Sequence, residues 1–289
     1  MKNTVYFLTG NFINGLGFFS KDKAASFALR LFTTPLKGFI KKDQLEFLDS
    51  AFQEEFEYNS IPITTYRWPG NSKTILLVHG WESNSARWEK LIYQLKAKNY
   101  NIIALDAPAH GNSGSKRFTA VLYSEFINVV TQRFQPEIIV AHSVGGMATT
   151  FAFEKYKFTS VEKLVLIGSP SEFKGVLDRY TKLLNINKRV SKHLELLIQK
   201  KFNKLPDEFS TAISSRMLDV EGLIIHDETD PVIPFSDALE IKKNFVNSKL
   251  ISTKNMGHSL NNEKVHDLIK EFLTSKSISL QYERSEANQ

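Results

Sequence analysis

The chain has 289 residues, of which 42% are hydrophobic and 24% are charged, a balance typical of a globular domain with a sizeable core. Its 37 basic and 31 acidic residues give a net charge of +6, but the basic residues are scattered and not interleaved with aromatic residues, which argues against a nucleic-acid-binding surface. Because cysteine is absent, disulfides, thiolate metal ligands and cysteine nucleophiles are excluded.

Residues 1–53 are predicted to form a helical N-terminal extension. The apolar run from Val5 to Phe19 is interrupted by polar residues, and no small-residue cleavage site follows it. The pattern therefore favours a packed or interfacial helix over a signal peptide or a membrane anchor. We expect a cytoplasmic protein, with membrane contact through this first helix as the less favoured alternative.

From residue 54 onward the hydrophobic period changes to that of strands, and an antiparallel hairpin is predicted up to Trp68. Apolar strand runs then alternate with helical patterns, and strands this apolar are typical of a parallel sheet covered on both faces. Six strands are predicted there, at residues 74–79, 101–105, 137–141, 163–167, 222–226 and 249–252. The alternation predicts an α/β fold with a mostly parallel, doubly wound sheet, formed by residues 54–170 and 220–275.

Residues 171–219 are too many for a simple crossover between two strands of that sheet. The segment carries two apolar stripes at helical spacing, together with ten Lys or Arg and six Asp or Glu residues. It is predicted to be a helical cap inserted into the core domain. Residues 276–289 are predicted to form a polar C-terminal tail.

Ser143 lies between an apolar strand run and a helix start made of small residues. Ala141 and Gly145, two positions before and after it, allow a sharp turn that lifts the hydroxyl clear of the backbone at a helix N-terminus. Serine needs a base to become a nucleophile, and a chain that builds this turn usually supplies one. The sequence therefore predicts that Ser143 is a catalytic nucleophile, whereas a simple helix cap is the alternative.

Candidate partners of Ser143 follow the last two predicted strands, whose carboxyl ends meet at one edge of the sheet. His258 lies in a glycine-containing loop after the last strand and is the predicted base. Asp230 follows the preceding strand and is the predicted carboxylate that orients the imidazole. Three other carboxylates compete for that role: Asp227, Glu228 and Asp237.

The backbone N–H groups of Trp81 and Val144 are the predicted oxyanion-hole donors, because one follows the first parallel strand and the other follows the nucleophile. Neighbouring polar residues have simpler explanations. His79 is expected to fix the loop by hydrogen bonding, His142 to shape the turn, and Asp106 to hold a loop together.

With these residues in place, the chain resembles the α/β-hydrolase superfamily, in its serine esterase and lipase-like form with a helical cap, over about residues 55–275. The elbow has Ala141 where the family has glycine, and the loop that begins at Asp106 has Ala109 where glycine is common. The family's order of nucleophile, acid and base is kept in Ser143, Asp230 and His258. The resemblance implies that these three residues form a catalytic triad.

The sequence therefore predicts a hydrolase that cleaves a carboxylic ester, or a related acyl bond, of a small and partly apolar substrate through an acyl-enzyme. Two alternatives stay open: a triad-bearing ligand receptor or signalling protein with little turnover, and a C–C bond hydrolase with the same triad. Neither a metal nor a cofactor is predicted, because close-spaced His/Asp clusters and glycine-rich nucleotide loops are absent from the sequence. The oligomeric state is not predicted.

Overall fold

A computed structural model describes residues 2–275, so the predicted polar tail at 276–289 lies outside the described residues. Eight strands form one sheet: β1 (Phe52–Tyr58), β2 (Ile61–Trp68), β3 (Thr74–Val78), β4 (Asn101–Leu105), β5 (Ile138–His142), β6 (Lys163–Ile167), β7 (Glu221–Asp227) and β8 (Ser248–Thr253). Each of the six strands predicted after the hairpin coincides with one of β3 to β8. β1 begins at Phe52, two residues before the position where the sequence placed the start of the core.

The order of the strands in the sheet is β1-β2-β4-β3-β5-β6-β7-β8. β1, β2 and β4 pair antiparallel at one edge, as the hairpin prediction requires, and β4, β3, β5, β6, β7 and β8 pair parallel. The predicted mostly parallel, doubly wound sheet is confirmed. Because β3 is followed along the chain by β4 on one side and β5 on the other, the connections diverge there and leave a crevice at the strands' carboxyl ends.

Eleven α-helices lie within the described residues: α1 (Lys2–Phe19), α2 (Lys21–Phe32), α3 (Lys42–Asp49), α4 (Glu89–Lys96), α5 (Ala120–Phe134), α6 (Val144–Tyr156), α7 (Phe173–Leu183), α8 (Lys188–Phe202), α9 (Thr211–Ser214), α10 (Phe235–Asn244) and α11 (Glu263–Thr274). α3, α4 and α11 bury their apolar residues against one face of the sheet, while α5, α6 and α10 cover the other. Covering both faces explains why the parallel strands are apolar throughout.

Helices α1, α2, α7 and α8 form a unit of their own, which we call the roof. Its core consists of small and branched side chains: Ile13, Ala24, Ala25, Ala28, Leu177, Leu184, Val190, Leu194 and Ile198. The predicted N-terminal extension and the predicted cap insertion thus pack together, although about 140 residues of chain separate them.

Two glycines of α1 allow this close packing. A Cβ atom at Gly10 would lie 1.6 Å from the carbonyl oxygen of Leu184, and one at Gly17 would lie 2.6 Å from Cγ2 of Val190. Only a residue without a side chain fits against the backbone of the insertion at Gly10. No helix within residues 2–275 is both long and apolar enough to cross a bilayer.

Candidate active site

Ser143 lies at the junction of β5 and α6, above the crevice of the sheet. Its backbone has φ 54° and ψ −129°, an uncommon conformation for a non-glycine residue, and its N–H donates to the carbonyl oxygen of Ile167 at 2.8 Å. The following helix begins close to the end of β3, since a Cβ at Gly145 would lie 2.4 Å from the carbonyl oxygen of His79. The small residue after the turn is therefore required by this contact.

Ser143, His258 and Asp230 are brought together by loops that follow three different strands. Oγ of Ser143 lies 3.0 Å from Nε2 of His258, and Nδ1 of His258 lies 2.7 Å from Oδ2 of Asp230. A carboxylate only accepts hydrogen bonds, so Nδ1 carries the proton and Nε2 is free to accept from the serine hydroxyl. This tautomer is the one that a general base requires.

The side chain of Asp230 is buried and is held on both of its oxygens. Oδ1 accepts from the backbone N–H groups of Val232 at 2.7 Å and Ile233 at 3.0 Å, while Oδ2 accepts from His258. Burial alone would raise the pKa of Asp230, but the hydrogen bonds from His258 and the two backbone amides lower this pKa below its ordinary value. The Pro-containing segment after Asp230 thus supplies the amides that keep the carboxylate ionised.

The three competing carboxylates lie elsewhere. Asp227 accepts from Thr229, from Thr253 at 2.9 Å and from the N–H of Met256 at 2.9 Å. Burial acts to raise the pKa of Asp227, but these hydrogen bonds lower it to about 2. Asp237 accepts from the N–H of Ser171 at 3.0 Å, and Glu228 is exposed at the surface. Asp227 therefore fixes the loop that carries His258 without contacting the imidazole.

Val144 directly follows Ser143, Trp81 follows Gly80 in the loop beside it, and the N–H group of neither donates a hydrogen bond within the described residues. Gly80 allows the loop after β3 to come this close, since a Cβ there would lie 2.9 Å from Cβ of Ser143. Two free donors beside a nucleophile are the arrangement that an oxyanion hole needs. The assignment of these donors stays a prediction.

His79 and Asp106 have the supporting roles expected from the sequence. Nε2 of His79 accepts from the N–H of Ala107 at 2.9 Å, which links the ends of β3 and β4. Asp106 is fully buried and accepts from the N–H and hydroxyl of Ser85 and from the N–H of Asn112. Both residues therefore stabilise loops beneath the site.

His142 does more than shape the turn, and Arg87 beside it was not singled out from the sequence. Arg87 can only donate, so Nδ1 of His142, 2.6 Å from the guanidinium, accepts, and Nε2–H donates to the carbonyl oxygen of His258 at 3.0 Å. Arg87 also donates to the carbonyl oxygen of Ser259 at 2.9 Å. These bonds tie β5, which precedes Ser143, to the loop that carries His258. Arg87 occurs in a short helical segment with no motif that indicates such a contact.

A cavity of about 890 Å³ lies between Ser143 and the roof. Aromatic and branched side chains dominate its lining, including Phe27, Trp81, Phe118, Phe173, Val176 and Phe209. Charged side chains also reach it at Arg30, Glu82 and Arg117. A cavity of this size and character suits a largely apolar small molecule that carries a few polar groups.

Among residues 2–275, no group of three or more His, Asp or Glu side chains is arranged to hold a metal ion. The absence of a metal from the chemistry stays a prediction.

Comparison with known families matches residues 73–213 to the family described as "alpha/beta hydrolase fold" and residues 205–281 to the family described as "TAP-like protein". Among curated proteins, the chain is similar to the AB hydrolase superfamily protein YisY of Bacillus subtilis, with 22% identity over 253 residues, 71% of this chain and 93% of YisY. Residues 1–72 lie outside both family matches, so the helices α1 and α2 are not part of the shared region.

Solved structures share the fold at low sequence identity. An esterase (EaEST) from Exiguobacterium antarcticum matches with a TM-score of 0.61 and 17% identity, over 78% of this chain and 100% of that one. A putative lipase from Acinetobacter baumannii matches with a TM-score of 0.60 and 20% identity, over 80% of this chain and 92% of that one. Similarity at this level establishes the fold but does not identify a substrate.

Proposed function

Since this chain belongs to the α/β-hydrolase superfamily, we propose that it is a serine hydrolase that cleaves a carboxylic ester with an apolar acyl or alcohol group. The observation that carries this proposal is the hydrogen-bonded series from Ser143 through His258 to Asp230, with distances of 3.0 Å and 2.7 Å. A nucleophile, a base and an orienting acid in this order are the parts that acyl transfer requires.

In the proposed reaction, Oγ of Ser143 attacks the carbonyl carbon while its proton moves to Nε2 of His258. Asp230 stabilises the imidazolium, and the N–H groups of Trp81 and Val144 donate to the oxyanion. The tetrahedral intermediate collapses, the proton passes to the leaving alcohol, and an acyl-Ser143 ester remains. His258 then deprotonates a water molecule, which attacks that ester and releases the acid and the free serine.

An apolar substrate is favoured by the cavity above the serine. Aromatic residues of the loops above the sheet, such as Trp81 and Phe118, and of the roof, such as Phe27 and Phe173, line it. Most of the lining surface is apolar, and leaving polar groups of a substrate unpaired against such a surface is costly. The polar requirement of an ester is limited to its carbonyl, which the two proposed N–H donors would satisfy.

A panel of p-nitrophenyl esters of increasing acyl length tests the proposal. We expect hydrolysis by the wild-type protein, with higher kcat/KM for medium acyl chains than for acetate, and no hydrolysis above background by Ser143→Ala. Binding of an ester to the protein, with no hydrolysis of that ester even after prolonged incubation, would favour the receptor alternative. Cleavage confined to vinylogous diketones, with all esters and thioesters inert, would favour the C–C bond hydrolase.

A further inference from the structure

The first helix has a largely exposed apolar surface, in which Phe12 contacts Phe27 of α2 with ring centroids 5.2 Å apart and Val5 also lines the cavity. Six large hydrophobic side chains of α1 are between 57% and 92% exposed: Val5, Phe7, Leu8, Phe12, Phe18 and Phe19. Residues 3–19 contain no charged side chain. A helix on the surface of a globular protein normally has a polar outer side, so α1 presents an unpartnered apolar surface, which we call the α1 face.

The geometry of the helix directs most of the α1 face toward solvent, with Phe12 at the edge that contacts Phe27 of α2. Leu8, Phe12 and Phe19 are spaced by four and seven residues and therefore lie along one side of the helix. Gly10 and Gly17 lie on the other side, where the first approaches the backbone at Leu184 and the second approaches Val190. One side of α1 is thus fixed to the roof while the opposite side stays exposed.

The α1 face is continuous with the opening of the cavity. Four hydrophobic residues that line the cavity are also exposed at the surface: Val5, Tyr6, Leu36 and Val232. Val5 belongs to the α1 face itself, and Val232 follows the proposed acid Asp230 by two positions. An apolar chain could therefore pass from the α1 face to the neighbourhood of Ser143 along apolar side chains.

Basic residues lie at the C-terminal end of the α1 face, where Phe18 and Arg189 line one small pocket. Residues 21–23 and 188–192 begin α2 and α8, and together they contain five basic residues and one acidic residue. The side chain of Asn14 holds the start of α8 beside α1, since it donates to the carbonyl oxygen of Asn185 and accepts from the N–H of Asn187, both at 2.9 Å. Lys188 and Arg189 are exposed at this position. An apolar helix with a cationic flank is complementary to an anionic lipid surface.

We propose that the α1 face and its basic flank bind the surface of an anionic lipid bilayer, with α1 lying in the plane of the interface. The cavity then opens toward the lipid, from which an acyl chain enters without crossing water. Binding to the bilayer does not depend on the triad, whereas delivery of the chain to Ser143 rests on the proposed function.

Flotation with lipid vesicles tests the binding in the absence of catalysis. Ser143→Ala protein is mixed with phosphatidylcholine vesicles prepared with or without phosphatidylglycerol. We expect stronger flotation with the anionic vesicles than with the neutral ones. Flotation with the anionic vesicles should decrease in about 1 M NaCl, where the Debye length is only about 3 Å.

Two sets of substitutions separate the apolar contribution from the charged one. Leu8→Gln/Phe18→Gln/Phe19→Gln, in the Ser143→Ala background, is expected to reduce partitioning by about ten-fold or more on both kinds of vesicle. Lys188→Gln/Arg189→Gln is expected to reduce it by about five-fold or more, and on anionic vesicles alone. The control Leu239→Gln/Val246→Gln, which removes two exposed apolar side chains from another part of the surface, should change neither value.

Absence of flotation with anionic vesicles overturns the proposal. A control variant that loses vesicle binding as much as the α1 variant does also overturns it. A dimer that forms without lipid, and that the Leu8, Phe18 and Phe19 substitutions dissociate, would show that the α1 face joins two copies of the chain. Hydrolysis of a short soluble ester by the wild-type protein reports separately on the proposed function. Hydrolysis without vesicle binding overturns only the membrane proposal, and vesicle binding without hydrolysis of any ester overturns only the hydrolase proposal.

Discussion

The two sides of the cavity are stabilised by different forces. On the side of the sheet, which we call the floor, the loops after β3, β5, β7 and β8 are fixed by directional hydrogen bonds, of which Asp230 alone accepts three. In the roof, helices contact one another through alanines and branched side chains such as Ala28 and Leu194. Hydrogen-bond geometry tolerates little displacement, whereas apolar packing tolerates changes that conserve volume. The floor is therefore suited to fix a reaction, and the roof to select a substrate by its shape.

The largest effect is expected from removing the proposed nucleophile in the floor. Ser143→Ala should lower kcat for a short p-nitrophenyl ester by roughly 10⁴–10⁶-fold. The melting temperature should change little, because Ser143 already has a positive φ without being glycine, so alanine adds no new backbone strain. Steady-state kinetics and circular dichroism melts measure both. A variant with full activity would exclude Ser143 as nucleophile.

The next effect concerns the packing of the roof. Gly10→Ala places a methyl group 1.6 Å from the carbonyl oxygen of Leu184, so α1 must shift. We expect the free energy of unfolding, measured with urea, to decrease by about 3 kcal/mol. The matched control is Gly15→Ala in the same helix, where no atom lies within 4 Å of the new Cβ. That control should be neutral or stabilising by about 0.5–1 kcal/mol. Equal destabilisation by both substitutions would contradict the packing described for α1.

A smaller effect is expected from a hydrogen-bonded carboxylate of the floor. The pKa of Asp227 is lowered from 3.8 to about 2, so its ionised form stabilises the folded protein above pH 4 and this contribution is lost as the pH falls toward 2. The difference corresponds to about 2 kcal/mol. The free energy of unfolding of Asp227→Asn should therefore be lower than that of the wild type by about that amount at pH 7. This difference between the two proteins should decrease below pH 4.

Urea unfolding at several pH values between 7 and 3 measures this gap. The exposed neighbour Glu228 supplies a control, since Glu228→Gln should show neither the loss at pH 7 nor the narrowing. A gap for Asp227→Asn that stays constant across the range would mean that the carboxylate charge does not contribute.

The smallest effect is expected from the roof's role in selecting a substrate. Val176 lines the cavity, so the larger side chain of Val176→Phe should fill part of its volume. We expect kcat/KM for the longest ester accepted to fall by about ten-fold relative to acetate, because pocket space for one to two methylene groups is worth about that factor. Leu183→Phe, on the same helix but exposed and outside the lining, should leave the ratio unchanged. An equal decrease of kcat/KM for all esters would show that the substitution at Val176 affects the reaction itself and not the selection of chain length.

The sequence singled out Ser143, Asp230 and His258 because the signals around them are local. Ser143 lies within a strand–turn–helix motif, and Asp230 and His258 lie in the loops that follow the last two predicted strands. The register of a parallel sheet then brings the ends of those strands together, which places the three side chains within hydrogen-bonding distance. Their catalytic roles, like the assignment of Trp81 and Val144, stay predictions until they are tested.

The roof could not be predicted in the same way. The apolar stripes of residues 171–219 fit packing against any apolar partner, and nothing near Gly10 indicates that it contacts Leu184, 174 residues later. The bridge from Arg87 through His142 to the loop of His258 is likewise formed by residues distant in sequence. Contacts of this kind depend on the complete tertiary structure, and a single sequence contains no periodicity that reports them.

The central claim is that the hydroxyl of Ser143 is activated by His258. Treatment with a fluorophosphonate, followed by mass-spectrometric mapping of the labelled peptide, tests it most directly. We expect a single adduct on Ser143, formed at least about 100-fold more slowly in His258→Ala because the general base is missing. Labelling at another residue, or labelling of Ser143 at an unchanged rate without His258, would contradict the account.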